Sequence, residues 1–287
     1  MLSSSLDDFT RQRVLLEDVE RTVYVAGVGP AVIVLHEMPG IGPHLLRFAR
    51  WVRDAGFTVY VPSLFGVDGI DPIAEAGRDV FKRVCVSAEF RALGAGVTSP
   101  ISSWLRALAR RAHEECGGKG VGAVGMCFTG NFALSMMLEP SMLAPVVSQP
   151  SLPFDVPWGL EIAPHDLATI RTRLDQENLS VLAFRFEGDR YCTAARFDAY
   201  ARALGDRFVG RVLPDEAAKL DGAPPFFAEH VNFPTACSRC ISRMRPDPRP
   251  SPRATRCWRF LHPASPMPLI QQVATNVRGT VTRDENP

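Results

Sequence analysis

Apolar positions along the chain fall into short compact runs, separated by stretches in which they recur every three or four residues. Residues 31–35 and 121–124 form such compact runs, the pattern of strands buried on both faces of a parallel sheet, and further strands are expected at 58–61, 144–147, 181–186 and 208–213. After Pro43, the residues Leu45, Phe48, Ala49 and Val52 share one helical face until Gly56. Ile101, Leu105, Leu108 and Ala112 do the same ahead of Gly117-Gly118, with Ser99 expected as N-cap and Pro100 in the first turn. Further helices are expected at 129–138, 166–174 and 193–204, and one around 79–92. Residues 13–16 and 22–25, split by Glu17, Asp18 and Glu20, suit an antiparallel hairpin. Strands alternating with helices predict an α/β fold, a mainly parallel sheet flanked by helices.

The pattern stops near Thr235. From Ala236 to Pro268, a span of 33 residues, there are 7 prolines and 7 arginines and little apolar periodicity, so no packed domain is expected there. Within the tail only residues 267–277 could form a short helix. The expected division is therefore a domain at 1–234 and an irregular, disordered Pro/Arg-rich tail at 235–287. Cys237, Cys240, Cys257 and His262 have spacings that a structural zinc site could accept, but the prolines leave little to shape one.

Composition narrows the function classes. With 287 residues, 46% of them hydrophobic, the chain can bury a large core. A formal charge of +1 gives no global attraction to nucleic acid or anionic lipid. Residues 1–10 lack the basic start and apolar run of a secretory signal, and no apolar stretch reaches the roughly 18 residues a membrane span needs. Seven cysteines at irregular spacing then point to reduced thiols and a cytoplasmic protein.

Gly125-Met126-Cys127-Phe128-Thr129-Gly130 stands where a buried strand meets a helix, the context of a nucleophile elbow. Small residues are needed two before and two after the nucleophile, and Gly125 and Thr129 occupy those positions. The sulfur would sit at a helix N-terminus, which favours thiolate and oxyanion. Such a site takes an acid after a late strand and a histidine after the last one. Asp189 follows the strand ending at Phe186, and His230 the strand ending at Leu213, both expected in loops.

His36-Glu37-Met38-Pro39-Gly40, the cysteine elbow and Phe184-Arg185-Phe186-Glu187-Gly188-Asp189 together resemble the dienelactone hydrolase family, over roughly residues 10–234. The resemblance implies an α/β-hydrolase fold and a Cys127–His230–Asp189 triad. It implies that Glu37 hydrogen-bonds the resting thiol until substrate displaces it, and that the main-chain N–H groups of Met38 and Phe128 form the oxyanion hole. The expected reaction is cleavage of a small-molecule ester, lactone or thioester, with no metal or organic cofactor. The family holds a substrate carboxylate with arginines, one of them shortly after the histidine. The position four after His230 is Pro234, so Arg83, Arg91 and Arg190 are the candidates for that role. A hydrolase-fold protein that binds without turnover is the competing reading.

Overall fold

The N-terminal hairpin pairs β1 (Thr10–Leu16) with β2 (Val19–Ala26) antiparallel. Its turn residues Glu17 and Asp18 both have positive φ, 49° and 59°, as a two-residue hairpin turn matched to strand twist requires. Six further strands follow: β3 (Ala31–Val34), β4 (Thr58–Pro62), β5 (Val121–Met126), β6 (Met142–Ser148), β7 (Val181–Phe186) and β8 (Phe208–Leu213). The computed structural model describes residues 5–217 and 225–230, and in it the strands form one sheet in the order β1-β2-β4-β3-β5-β6-β7-β8. β2 joins β4 antiparallel, and every pair from β4 to β8 is parallel.

Successive strand residues point to opposite faces, and this sorts the core into two layers. Ile33, Ala123, Val147 and Ala183 face one layer, where α3 (Ile101–Cys116), α4 (Gly130–Ser135), α5 (Pro164–Gln176) and α6 (Ala194–Leu204) pack. Val32, Val34, Val124, Val146, Leu182 and Phe184 face the other, against the apolar stripe of α1 (Pro43–Asp54). Each fully buried Val, Leu or Phe contributes roughly 1.5–3 kcal/mol, so a strand buried on both sides needs no polar alternation to hold its register.

Three expectations about local structure change. The helix expected at 79–92 is α2 (Ala74–Cys85). Beyond Cys85 the backbone turns, with the Phe90 N–H on the Ser87 carbonyl, and Arg91 has φ 45°, a conformation that a right-handed helix does not contain. Phe90 and Ala92 are buried from this turn rather than from a helix face. Ser99 does not cap α3: its hydroxyl donates to the Phe90 carbonyl, and its N–H donates to Glu161 Oε1 at 2.6 Å. The helix expected at 129–138 is split into a 3-10 turn at Cys127–Thr129, α4, and a second 3-10 turn at Met136–Leu138. A six-residue helix has little stability alone; α4 persists because all six of its residues are buried.

The tail at 235–287, its zinc candidates Cys237, Cys240, Cys257 and His262, and Pro234 lie outside the described residues. Among the described residues, no helix is long and apolar enough to cross a membrane.

Candidate active site

β5 runs fully buried to Met126, and Cys127 then takes φ 51°, the sharp strand-to-helix turn that lifts a nucleophile off the end of a strand. The turn has no room for larger residues at two points. A Cβ on Gly125 would meet the Thr129 carbonyl oxygen at 2.3 Å, and one on Gly130 would meet Pro150 Cα at 2.7 Å. The tight position on the helix side is therefore Gly130 rather than Thr129. Thr129 closes the turn with its hydroxyl, which accepts from the Met126 N–H at 3.1 Å and donates to the Met126 carbonyl at 3.1 Å.

Cys127 is buried, 6% exposed, and lines a cavity of about 320 Å³ together with Met38, Phe81, Phe128, Phe154, Tyr191, Phe226 and Phe227. Burial pushes its thiol above the usual range, and the charges of Glu37 and Asp189 push the same way. A hydrogen bond with Ser151, Sγ to Oγ at 3.6 Å, and the Phe128 N–H act in the opposite sense. The thiol form is thus the resting one.

Glu37 is held at the end of β3 by its neighbour. His36 is fully buried, accepts the Leu64 N–H on Nε2 at 3.0 Å and donates from Nδ1 to the Glu37 carbonyl at 3.1 Å. Both ring nitrogens are committed, and burial holds the imidazole down to about 4, so His36 is a neutral fixture of this loop. Glu37 is 4% exposed, and Met38 follows it into the cavity wall.

Asp189 stands three residues beyond β7, buried, with Oδ1 accepting the N–H groups of Tyr191 at 2.9 Å and Cys192 at 2.8 Å. Its charge reaches the Cys127 sulfur. His230 is not in a loop: it is the last residue of α7 (Pro225–His230), the helix whose Phe226 and Phe227 line the cavity. Its side chain lies outside what is described.

The cavity's cationic residues are Arg78 and Lys82; Arg83, Arg91 and Arg190, exposed as these two also are, are absent from its lining. Arg78, Phe81 and Lys82 are three and four apart on α2 and share one helix face. That spacing marks them in the sequence only once the bounds of α2 are known.

Two polar assemblies brace the elbow from behind. Asn131, in α4, donates to Glu161 Oε2 at 2.8 Å and accepts from the Tyr200 hydroxyl at 2.7 Å. Burial raises the Glu161 carboxyl to about 7. Arg196, 1% exposed, donates to the carbonyls of Gly159 at 3.0 Å, Tyr191 at 2.6 Å, Val156 at 2.9 Å and Pro150 at 3.3 Å, and also to that of Pro153. A buried guanidinium is costly without partners, and here main-chain oxygens supply them.

A mainly parallel eight-stranded sheet with a nucleophile-type turn after β5 defines the α/β-hydrolase fold. Within that class the chain resembles the dienelactone hydrolase family, whose model matches residues 22–152; the match includes Glu37 and the Cys127 elbow, while Asp189 and His230 lie beyond it. The solved structure m3DLH aligns with 93% of this chain and 99% of its own, at 19% identity and a TM-score of 0.55. A protein from Klebsiella pneumoniae subsp. pneumoniae MGH 78578, assigned provisionally as a dienelactone hydrolase, aligns with 88% of this chain and 95% of its own, at 15% identity and a TM-score of 0.51. These two share the fold. No curated protein sequence matches the chain significantly. The family match supports hydrolase function.

Proposed function

We propose that the chain is a cytoplasmic hydrolase that cleaves small esters, lactones or thioesters through Cys127, His230 and Asp189. The observation that carries this reading is Cys127 itself: a non-glycine residue held at φ 51° between β5 and α4, with its sulfur on an apolar cavity. Backbone held at positive φ is unfavourable and persists where the surroundings enforce it, often at functional sites. In the proposed reaction the Cys127 sulfur attacks the carbonyl carbon, and His230, oriented by Asp189, takes the thiol proton and returns it to the leaving atom, oxygen in an ester or lactone and sulfur in a thioester. Main-chain N–H groups of Met38 and Phe128 receive the oxyanion. Water then cleaves the thioester, with His230 as base. Glu37 opposes thiolate in the free protein, and its displacement by bound substrate releases the sulfur for attack. All these residues lie at or before His230, so the same proposal gives the chemistry to a domain at 1–234 and none to 235–287.

Arg78 and Lys82 suit an ester that carries a carboxylate. Replacing both by glutamine is expected to raise KM for such an ester about tenfold, corresponding to about 1.5 kcal/mol for a charged hydrogen bond, with neutral esters of the same acyl group unchanged. Initial rates on the matched pair of substrates decide it, and equal losses on both would remove these cations from recognition.

One observation favours a second reading, a hydrolase-fold protein that binds without turnover: burial and two carboxylates hold the thiol protonated. A panel of aryl esters and enol lactones, with acid quenching and mass analysis of Cys127, separates the two. Turnover with an acyl adduct on Cys127 is the expected result, and binding without either supports the second reading.

A further inference from the structure

The loop after β6 lies against the elbow and carries a residue to which the triad gives no role. Ser151 is 1% exposed. Its N–H donates to the Cys127 carbonyl at 3.0 Å, and its hydroxyl oxygen lies 3.6 Å from Cys127 Sγ. A main-chain contact and a side-chain contact to one residue fix the hydroxyl relative to the sulfur. The neighbouring backbone is fixed as well: Pro150 packs on Gly130 where no Cβ would fit, and Arg196 ties down the carbonyls of Pro150, Pro153 and Val156.

A hydroxyl can accept or donate as it rotates. Toward the neutral thiol Ser151 accepts the S–H; toward a thiolate it donates its O–H. The groups that bear on the sulfur include the carboxylates of Glu37 and Asp189, both of which oppose a negative charge, and the Phe128 N–H, which favours it. Tyr191, on the same cavity, is held in its neutral form by burial. A donor that turns toward the sulfur at the moment of ionisation counters the two carboxylates.

We propose that Ser151 is a further catalytic residue, whose hydroxyl switches from acceptor to donor as Cys127 ionises and stabilises the thiolate at the cavity wall. The thiol proton leaves to the base of the triad, and Ser151 exchanges none. This inference rests on Cys127 being the nucleophile.

The test is the rate of alkylation of the full chain by iodoacetamide as a function of pH from about pH 5 to about pH 10, below the raised midpoint of the Cys127 thiol, with Cys127 followed by peptide mapping. It requires no substrate, so it stands apart from the hydrolase reading. Ser151→Ala is expected to slow Cys127 alkylation about tenfold at every pH below the thiol's midpoint, the size of one hydrogen bond to a charged group. Ser151→Thr, which keeps the hydroxyl, is expected to restore the wild-type profile. A merely structural serine would change the melting temperature and leave the profile in place, and that result overturns the proposal. Should Ser151→Ala fail to fold, the Raman S–H band of Cys127, taken as the difference from the matching Cys127→Ala protein in wild type and in Glu37→Ala, decides: a hydrogen-bonded position that persists in Glu37→Ala supports the assignment, and a free one there overturns it. A Ser151-dependent profile in a protein that hydrolyses no ester would refute the hydrolase reading and leave Ser151 as the thiolate's donor.

Discussion

Cys127→Ala is expected to reduce ester hydrolysis to the uncatalysed background while leaving the fold intact. Alanine has no atom that can attack a carbonyl, so a mechanism built on the sulfur has nothing to replace it with. The structural cost is small. Alanine carries the same Cβ as cysteine, so the strain at φ 51° is unchanged, and the lost polar contacts of the sulfur are the long hydrogen bond to Ser151 and the interaction with the Phe128 N–H. A buried single-atom deletion of this kind costs on the order of 1 kcal/mol. Progress curves on the ester panel, with circular dichroism and a thermal melt on the same samples, provide the measurement. Turnover retained by a clean, folded Cys127→Ala protein would place the nucleophile elsewhere.

Asp189→Asn is expected to lower kcat by about 10³ to 10⁴ with little change in KM, the loss seen when a triad loses its orienting carboxylate. The substitution preserves the local backbone, because an asparagine oxygen can accept the Tyr191 and Cys192 N–H groups as the Asp189 Oδ1 does. What it removes is the negative charge. That charge raises the Cys127 thiol, so the variant should hydrolyse esters far more slowly and yet be alkylated at Cys127 more readily at a given pH. Structural collapse would lower activity without that selective gain in thiol reactivity. Kinetics near wild type would show that another acid orients His230.

The parts of the fold legible in the sequence are those decided by burial over short range. β7, buried throughout, runs where the strand expected at 181–186 placed it; β8 also runs at 208–213, but as a partly exposed strand at the end of the sheet with only Leu213 buried. The elbow was legible from Gly125, where a Cβ would collide with the Thr129 carbonyl, whereas on the helix side the sequence pointed to Thr129 and the tight position is Gly130. α2 was displaced because Val80, Phe81, Val84, Phe90 and Ala92 are all at least partly buried, though only the first three belong to the helix. That displacement left Arg78 outside the expected helix, so its shared face with Lys82 was not visible. Ser151 was invisible for a different reason: in Gln149-Pro150-Ser151-Leu152-Pro153 it reads as a turn residue, and its contact with Cys127 depends on a loop fastened from α6, more than 40 residues away. No periodic pattern reports such a fastening.

Arg196 ties the site to α6. The carbonyls of Pro150, Pro153, Val156 and Gly159 converge as they would around a bound cation, but here the cation is tethered to α6 and arrives with it. Without α6, the oxygens of Pro150, Pro153 and Gly159 lose their guanidinium donor and the Val156 oxygen keeps only the Gly159 N–H, at 2.8 Å, so little in the loop itself gives it shape. Docking of α6 and ordering of this loop therefore depend on each other. The wall on which Ser151 stands is held from the C-terminal half of the sheet, so a chain lacking α6 would hold Cys127 in an elbow with one side open to water.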